Sequence, residues 1–327
     1  MSGFFVYSCA TREFECRPKC CVIAGIMEHN RSIGIGENSS HKGFKLLENL
    51  VGSVFYSSVF ISCCAFSLVV ETYLLANLAV SLPMASFIFL ATLFTYNLSS
   101  VQSMLRYPFQ QKHRSSSAWS QRNKKPLAVV GVLSILAAAY VYVRYQLNIN
   151  PWFLLHLAII SIGYTVPVVY KRRRIKPLRS IPFLKVFLIA YVWAVVTALF
   201  PLLDAGMQLW EAEALWLFLR RFLFILALAL LFDIRDYSYD RVMHTLTFPV
   251  WMGVKKTKLL SLGLLLMYLL LIAATEQGAV LLALVGSAIG AALVVMFSSE
   301  RKPRFYYMLL ADGAMLLHAG LVYLAKV

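Results

Sequence analysis

Nine apolar segments, each close to the length of a membrane-spanning helix, constrain the fold of this chain more than any other feature. They cover residues 51–70, 72–96, 126–144, 152–170, 181–203, 214–232, 259–275, 279–297 and 305–325. A helix needs roughly 20 mostly apolar residues to cross the hydrocarbon core of a bilayer. The 327-residue chain is 60% hydrophobic and only 14% charged, a composition that excludes an ordinary soluble domain. The sequence therefore predicts an all-α integral membrane protein that crosses the bilayer nine times.

The charged residues between these segments are distributed by side. Lysine and arginine residues concentrate in every second connection, at residues 106–125, 171–179, 235–258 and 301–304. The alternate connections carry acids or no charge, with Glu71, Asp204, Glu211, Glu213 and Glu276 as their acids. Because basic loops stay in the cytoplasm, we expect a cytoplasmic N-terminus and a C-terminus outside. The net charge of +16 then follows from topology, so it indicates no nucleic-acid partner.

The first 45 residues differ from the rest of the chain. They are polar, contain cysteines and lack hydrophobic periodicity. No basic start is followed by a long apolar core, so they do not resemble a signal peptide. We predict a poorly ordered cytoplasmic extension over residues 1–45, with Met27 as an alternative start, and a nine-helix transmembrane domain over residues 46–327.

The sixth apolar segment ends in three acids. Asp233, Asp236 and Asp240 are spaced i, i+3 and i+7, which places them on one face of a helix. Acids at the end of a membrane helix are costly unless they hold a cation or contact water. Carboxylate oxygens suit Mg²⁺, which often shares its ligand shell with substrate phosphates. The alternative is a solvated helix end in which Arg235 and Arg241 pair with the acids.

The acids and the loop after them resemble the second acidic motif of the UbiA-type membrane prenyltransferases. The loop supplies Thr247, Pro249 and Gly253 at the matching positions. Three other parts of the chain are also similar to this family: Tyr164, Pro167, Lys171 and Arg172; Ile181, Pro182, Lys185 and Trp193; Tyr306, Tyr307, Asp312 and Gly313. The resemblance covers residues from about 45 to the end, and it implies nine helices around a central cavity that opens to the cytoplasm.

The resemblance also implies a reaction. Members of the family transfer a prenyl group from an isoprenoid diphosphate to an aromatic or other hydrophobic acceptor, and we expect an aromatic or lipid acceptor here. Mg²⁺ held by aspartates neutralises the departing diphosphate as a Lewis acid. By position, Asp236 and Asp240 would be catalytic, and Asp233, Asp236 and Asp240 would bind the metal. The expected contacts to the diphosphate are Asn97, Arg106, Lys171, Arg172 and Lys185. The expected location is a bacterial inner membrane, and no protein partner is indicated.

The end of the second segment departs from the family pattern. The family carries a first acidic motif there, with an asparagine followed by aspartates four and eight residues later. This chain keeps Asn97 but has Val101 and Leu105 at the two acid positions. A clamp of two Mg²⁺-binding clusters cannot be assembled in the usual way, so we expect fewer Mg²⁺ ions than in relatives with both motifs. The alternative function is a non-catalytic relative that binds or carries an isoprenoid or another lipid.

Several further residues have two interpretations. His244 stands where the family usually has glycine, and its imidazole could contact phosphate or simply be solvated. Arg220 and Arg221 could extend toward Glu211 and Glu213 or pair inside the bundle. Asp312 could lie at the cytoplasmic interface beside Arg304, or be buried, which implies a partner, a cavity or a protonated form. A secondary transporter is disfavoured because no duplicated pattern of broken helices is present.

Overall fold

The computed structural model describes residues 58–106, 123–165, 167–171, 174–178 and 181–327. All of them belong to one compact unit, Gly52–Val327. The predicted extension over residues 1–45 lies outside the described residues and stays a prediction.

The described residues form ten helices and one short hairpin. In chain order the elements are α1 (Val59–Leu75), α2 (Leu82–Arg106), α3 (Lys124–Arg144), α4 (Pro151–Thr165), β1 (Pro167–Lys171), β2 (Arg174–Pro177), α5 (Leu184–Ala194, Val195–Leu199 and Phe200–Asp204), α6 (Ala212–Val242), α7 (Phe248–Met252), α8 (Val254–Thr275), α9 (Gly278–Phe297) and α10 (Arg304–Tyr306, Tyr307–Ala311 and Asp312–Lys326). Val195–Leu199 in α5 and Tyr307–Ala311 in α10 are π-helical turns.

Six of these helices, α3, α5, α6, α8, α9 and α10, are long and apolar enough to cross a bilayer. Three further apolar stretches accompany them, namely α1, α4 and the part of α2 from Leu82 to Asn97. The nine apolar segments of the sequence thus correspond to nine helices among the described residues, and the coarse prediction of a multi-pass membrane protein is supported. That all nine cross the membrane, and that they surround a cavity, stay predictions.

The boundary between the first two helices lies further along the chain than the sequence predicts. Helix α1 ends at Leu75 rather than near residue 70, and α2 begins at Leu82 rather than at residue 72. Glu71 therefore lies inside α1, where it is buried, and not in a connection as expected. The real turn, residues 76–81, is uncharged and partly apolar, so hydropathy does not reveal it. Ser81 marks the start of α2 because its hydroxyl accepts a hydrogen bond from the Met84 amide at 3.3 Å, as an N-cap does.

The fourth apolar segment is predicted to continue to residue 170, but α4 ends at Thr165 and Pro167 begins an antiparallel hairpin that continues into the basic connection. Strand β1 pairs with β2 in the register Tyr170 to Ile175 and Lys171 to Arg174. Lys171 and Arg174, two residues of the basic run, therefore form the last pair of the hairpin.

Helix α6 is at the centre of the bundle. It packs against α5, α8, α9 and the π turn of α10. Its residues from Leu223 to Leu231 are all buried, as expected for a helix that is apolar on every side. The polar groups at both ends of this apolar stretch consequently lie within the bundle. Arg220 and Arg221 lie at one end and the three acids at the other.

Candidate functional site

The first acid of α6 is bound to a lysine from the neighbouring helix. Lys185, in the first turn of α5, donates a hydrogen bond from Nζ to Oδ1 of Asp233 at 2.8 Å. The Asp233 side chain is 2% exposed and that of Lys185 is 20% exposed. The pair thus joins the ends of α5 and α6 from a position that is partly open to solvent.

The second acid is bound to its own neighbour in sequence. Arg235 donates from Nε to Oδ1 of Asp236 at 3.0 Å and from Nη2 to Oδ2 at 2.8 Å. The same guanidinium lies 5.1 Å from the ring centroid of Phe232, a cation–π distance. A side-on pair of this kind fixes both groups, so the Asp236 carboxylate is held in place and its charge is matched.

The third acid is not bound to a cation among the described residues. Asp240 is 7% exposed, and its Oδ2 atom is buried. The hydroxyl of Thr247 lies close enough to interact with this carboxylate. The chain returns to this point because the Thr245 amide donates to the Asp240 carbonyl at 2.9 Å and His244 adopts a left-handed conformation with φ 51°.

We call these five residues, Asp233, Asp236, Asp240, Lys185 and Arg235, the motif cluster. Three carboxylates and two cations leave one negative charge in excess. Side chains from other helices extend the polar region. The Asp312 carboxyl of α10 lies within electrostatic range of Arg235, and the Tyr164 hydroxyl of α4 within range of Lys185. Deeper in the bundle, Trp193 Nε1 of α5 donates to the hydroxyl of Tyr96 of α2 at 3.3 Å. Five helices therefore contribute to one polar region.

The cluster has specific consequences for a metal. No group of three or more His, Cys, Asp or Glu side chains within the described parts of the chain is arranged to hold a metal ion. A Mg²⁺ site built from all three acids does not fit, because Lys185 already binds Asp233 and Arg235 binds Asp236. One ion shared by Asp236, Asp240 and phosphate oxygens fits only if Arg235 turns from Asp236 to the phosphate, since Mg²⁺ is commonly held by one or two carboxylates plus substrate phosphates.

The predicted diphosphate contacts have different outcomes. Lys185 belongs to the motif cluster. Asn97 is fully buried, and neither atom of its amide group has a hydrogen-bond partner among the described residues. A β-carbon placed at Gly131 of α3 would lie 3.7 Å from the Asn97 β-carbon, so Asn97 packs against α3. The side chains of Arg106 and Lys171, and all of Arg172, lie outside what the structure describes.

Two residues of the polar region carry more weight in the structure than in the sequence analysis. The sequence predicts for Arg235 only a pairing role at a solvated helix end, yet it binds Asp236 through two hydrogen bonds. Asp312 interacts electrostatically with Arg235, so it has a charged partner in α6. A lone acid within an apolar segment is the sequence signal that points to such a position.

The comparisons with known proteins give little that bears on this chain. No family model matches it, and no curated protein matches it. One solved structure that is similar to it is that of a digeranylgeranylglyceryl phosphate synthase in membranes. The two chains are 14% identical with a TM-score of 0.46, and the match covers 85% of this chain and 97% of the synthase. A likeness of this degree assigns neither a fold nor an activity to the chain.

Proposed function

We propose that the protein is a UbiA-like membrane prenyltransferase that transfers a prenyl group from an isoprenoid diphosphate to an aromatic or lipid acceptor. The observation that carries this proposal is the motif cluster. Three acids at the spacing of the family's second motif meet two cations at one end of a helix that is otherwise apolar. Charged groups within an apolar bundle are costly to keep unless a ligand or a partner uses them.

The reaction requires the bond between the allylic carbon and the diphosphate oxygen to break, with the negative charge leaving on the diphosphate. Lys185 and Arg235 can donate charge-assisted hydrogen bonds to phosphate oxygens, Arg as a planar fork and Lys as a point charge. Mg²⁺, held by Asp236 and Asp240 when the diphosphate is present, would neutralise the remaining charge. The apolar side chains around α6 exclude water from the prenyl chain.

The proposal includes an orientation. The motif cluster opens to the cytoplasm of a bacterial inner membrane, the N-terminus is cytoplasmic and the C-terminus is outside, as the loop charges predict. Single cysteines placed at residues 112–125, at residues 255–258 in the first turns of α8 and at residues 301–304 are then labelled only from the cytoplasmic side, and a cysteine near Gln208 only from outside. Labelling of any of the three basic regions from outside would overturn this orientation.

Binding of a prenyl diphosphate tests the site directly. We expect the purified protein in detergent to bind radiolabelled farnesyl diphosphate in the presence of Mg²⁺. The double variant Asp236→Asn with Asp240→Asn should lose this binding. The matched control is Glu213→Gln, which removes an exposed acid at the opposite end of the same helix. Equal binding by wild type and the double variant would rule the site out.

A second candidate function is a non-catalytic relative that binds or carries an isoprenoid or another lipid. The observation in its favour is that two of the three motif acids are already neutralised by cations of the chain, while the end of α2 carries Val101 and Leu105 in place of acids. The variant Val101→Asp with Leu105→Asp separates the two candidates. Prenyl transfer by wild type supports the enzyme, whereas a silent wild type that gains transfer in this variant supports the second candidate.

A further inference from the structure

A second group of charged residues lies at the other end of the apolar stretch of α6, remote from the motif cluster. Arg221 precedes Asp233 by 12 positions in the same helix, which separates them by about 18 Å along the helix axis. We call Glu71, Arg220, Arg221, Tyr268 and His318 the Glu71 cluster. Its members come from α1, α6, α8 and α10, and every one of them is at least nine-tenths buried.

Close contacts hold the Glu71 cluster together. Nη2 of Arg221 lies 3.2 Å from Oε1 of Glu71, and Nδ1 of His318 lies 2.9 Å from the same oxygen. Nη2 of Arg221 also donates to the Thr72 hydroxyl at 3.1 Å. On the other side of the imidazole, Nε2 of His318 lies 2.9 Å from the Tyr268 hydroxyl. Arg220 forms an ion pair with Glu276 at the end of α8, so the arginines pair inside the bundle and not with Glu211 and Glu213.

These contacts leave polar atoms unsatisfied. Arg221 and His318 both contact Oε1 of Glu71 at ion-pair distances, whereas the buried Oε2 has no hydrogen-bond partner among the described residues. Nη1 of Arg221 and Nε of Arg220 likewise have no acceptor there. Buried polar groups in native proteins are nearly always hydrogen-bonded, to the protein or to ordered water. One acceptor and two donors therefore lie buried without partners in this region, and a small polar molecule bound among them would satisfy them.

The side chains of the Glu71 cluster line a cavity together with apolar leucines, Leu284 among them. The cavity measures about 10 Å³, close to the ~10–15 Å³ that one water molecule needs by this measure. The space is too small for a phosphate group or a lipid. We propose that this cavity is a binding site for one structural water molecule, which donates to the Glu71 carboxylate and accepts from Arg221 or Arg220.

A water in this place completes the electrostatics of the cluster. Glu71 and Arg221 balance one another, as do Arg220 and Glu276, so the region needs dipoles and no further charge. Water supplies both donors and an acceptor, and buried waters typically make about three hydrogen bonds. The bound water thus links α1 to α6 in a bundle where the carboxylate would otherwise stay unsolvated. The site is independent of the function proposed for the motif cluster.

Hydroxyl-radical footprinting of the wild-type protein in detergent tests this site, because radicals formed from a trapped water modify the side chains beside it. The matched pair is Leu284, which lines the cavity, and Leu230, which does not; both are 1% exposed. We expect Leu284 to be modified several-fold faster than Leu230. Equal modification rates for the two leucines would overturn the proposal.

A second measurement uses a variant that fills the cavity. Leu284→Phe adds volume where the water would sit, so modification of Tyr268 should fall several-fold relative to wild type while modification of Leu230 stays unchanged. If Tyr268 is modified at the same rate in wild type and in a folded Leu284→Phe protein, its radicals do not come from a bound water and the proposal fails.

Discussion

The two charged clusters of α6 share one helix and differ in how completely they are closed. In the Glu71 cluster, the side chains of Glu71, Arg221 and His318 are at most 4% exposed. In the motif cluster, the side chains of Lys185, Arg235 and Asp236 are between 17% and 22% exposed. Asp233 of the motif cluster is an exception, at 2% exposed. A buried ion pair holds helices together, and under the proposed function a partly exposed one can exchange a protein partner for a ligand.

The comparison also shows why pairing alone does not identify a site. Both clusters place acids next to arginine, and both leave one carboxylate with an unsatisfied oxygen. The two clusters differ in the kind of molecule that could reach the unsatisfied carboxylate oxygen of Asp240 or of Glu71. Asp240 lies at the helix end among half-buried groups, whereas Glu71 faces a cavity the size of one water molecule. Four substitutions test this contrast, from the largest expected effect to the smallest.

Glu71→Leu should be the most damaging change. It leaves Arg221 and His318 in the sealed region without their carboxylate, and removing one partner of a buried ion pair typically costs about 3–5 kcal/mol. We expect a large fall in the melting temperature measured in detergent, with no fall for the exposed control Glu213→Leu. A melting temperature equal to that of wild type would mean that the Glu71 cluster does not hold the helices together.

Lys185→Met should have a smaller effect on stability. Asp233 loses its cation, but the partial exposure of Lys185 lets water approach, so we expect a cost of about 2 kcal/mol, the lower end for a buried charge pair. The double variant with Asp233→Asn should recover part of this loss. Additive effects of the two substitutions in thermal unfolding would show that the 2.8 Å pair is not coupled.

Asp240→Asn should separate ligand binding from stability. Because Oδ2 of Asp240 has no hydrogen-bond partner in the described structure, removal of the charge should leave the melting temperature close to that of wild type. Binding of farnesyl diphosphate with Mg²⁺ should weaken at least about tenfold, or ~1.4 kcal/mol. A loss of stability with unchanged binding would make the motif cluster structural, like the Glu71 cluster.

His244→Gly should have the smallest effect, and it should be stabilising. The residue has a φ of 51° directly after α6, where glycine adopts the left-handed conformation without the cost of about 1 kcal/mol that a side chain brings. We expect a slight rise in melting temperature with unchanged ligand binding. Weaker binding of the diphosphate in this variant would instead support a contact between the imidazole and phosphate.

The sequence predicted the helices better than their contacts. The apolar segments and the acids at the end of α6 follow from hydropathy and spacing. The limits of α1 and α2 do not follow from hydropathy, because the turn after Leu75 carries no charge. The nearest charged residue, Glu71, lies inside α1 and not in the turn. The partner of Asp233 lies 48 residues away in α5, and its identity depends on how α5 is rotated against α6. Hydropathy carries no information about that rotation.

The π turn Tyr307–Ala311 in α10 makes the number of residues in that helix as important as their chemistry. A π turn takes one residue more than an α-helical turn, and each residue of an α-helix corresponds to a rotation of about 100°. Deleting one residue from this turn would rotate Asp312 away from Arg235 and His318 away from Glu71 together, without changing any side chain. We therefore expect the insertion or deletion of one residue in α10 to be more harmful than most substitutions. The one additional residue of the π turn sets the orientation of both Asp312 and His318.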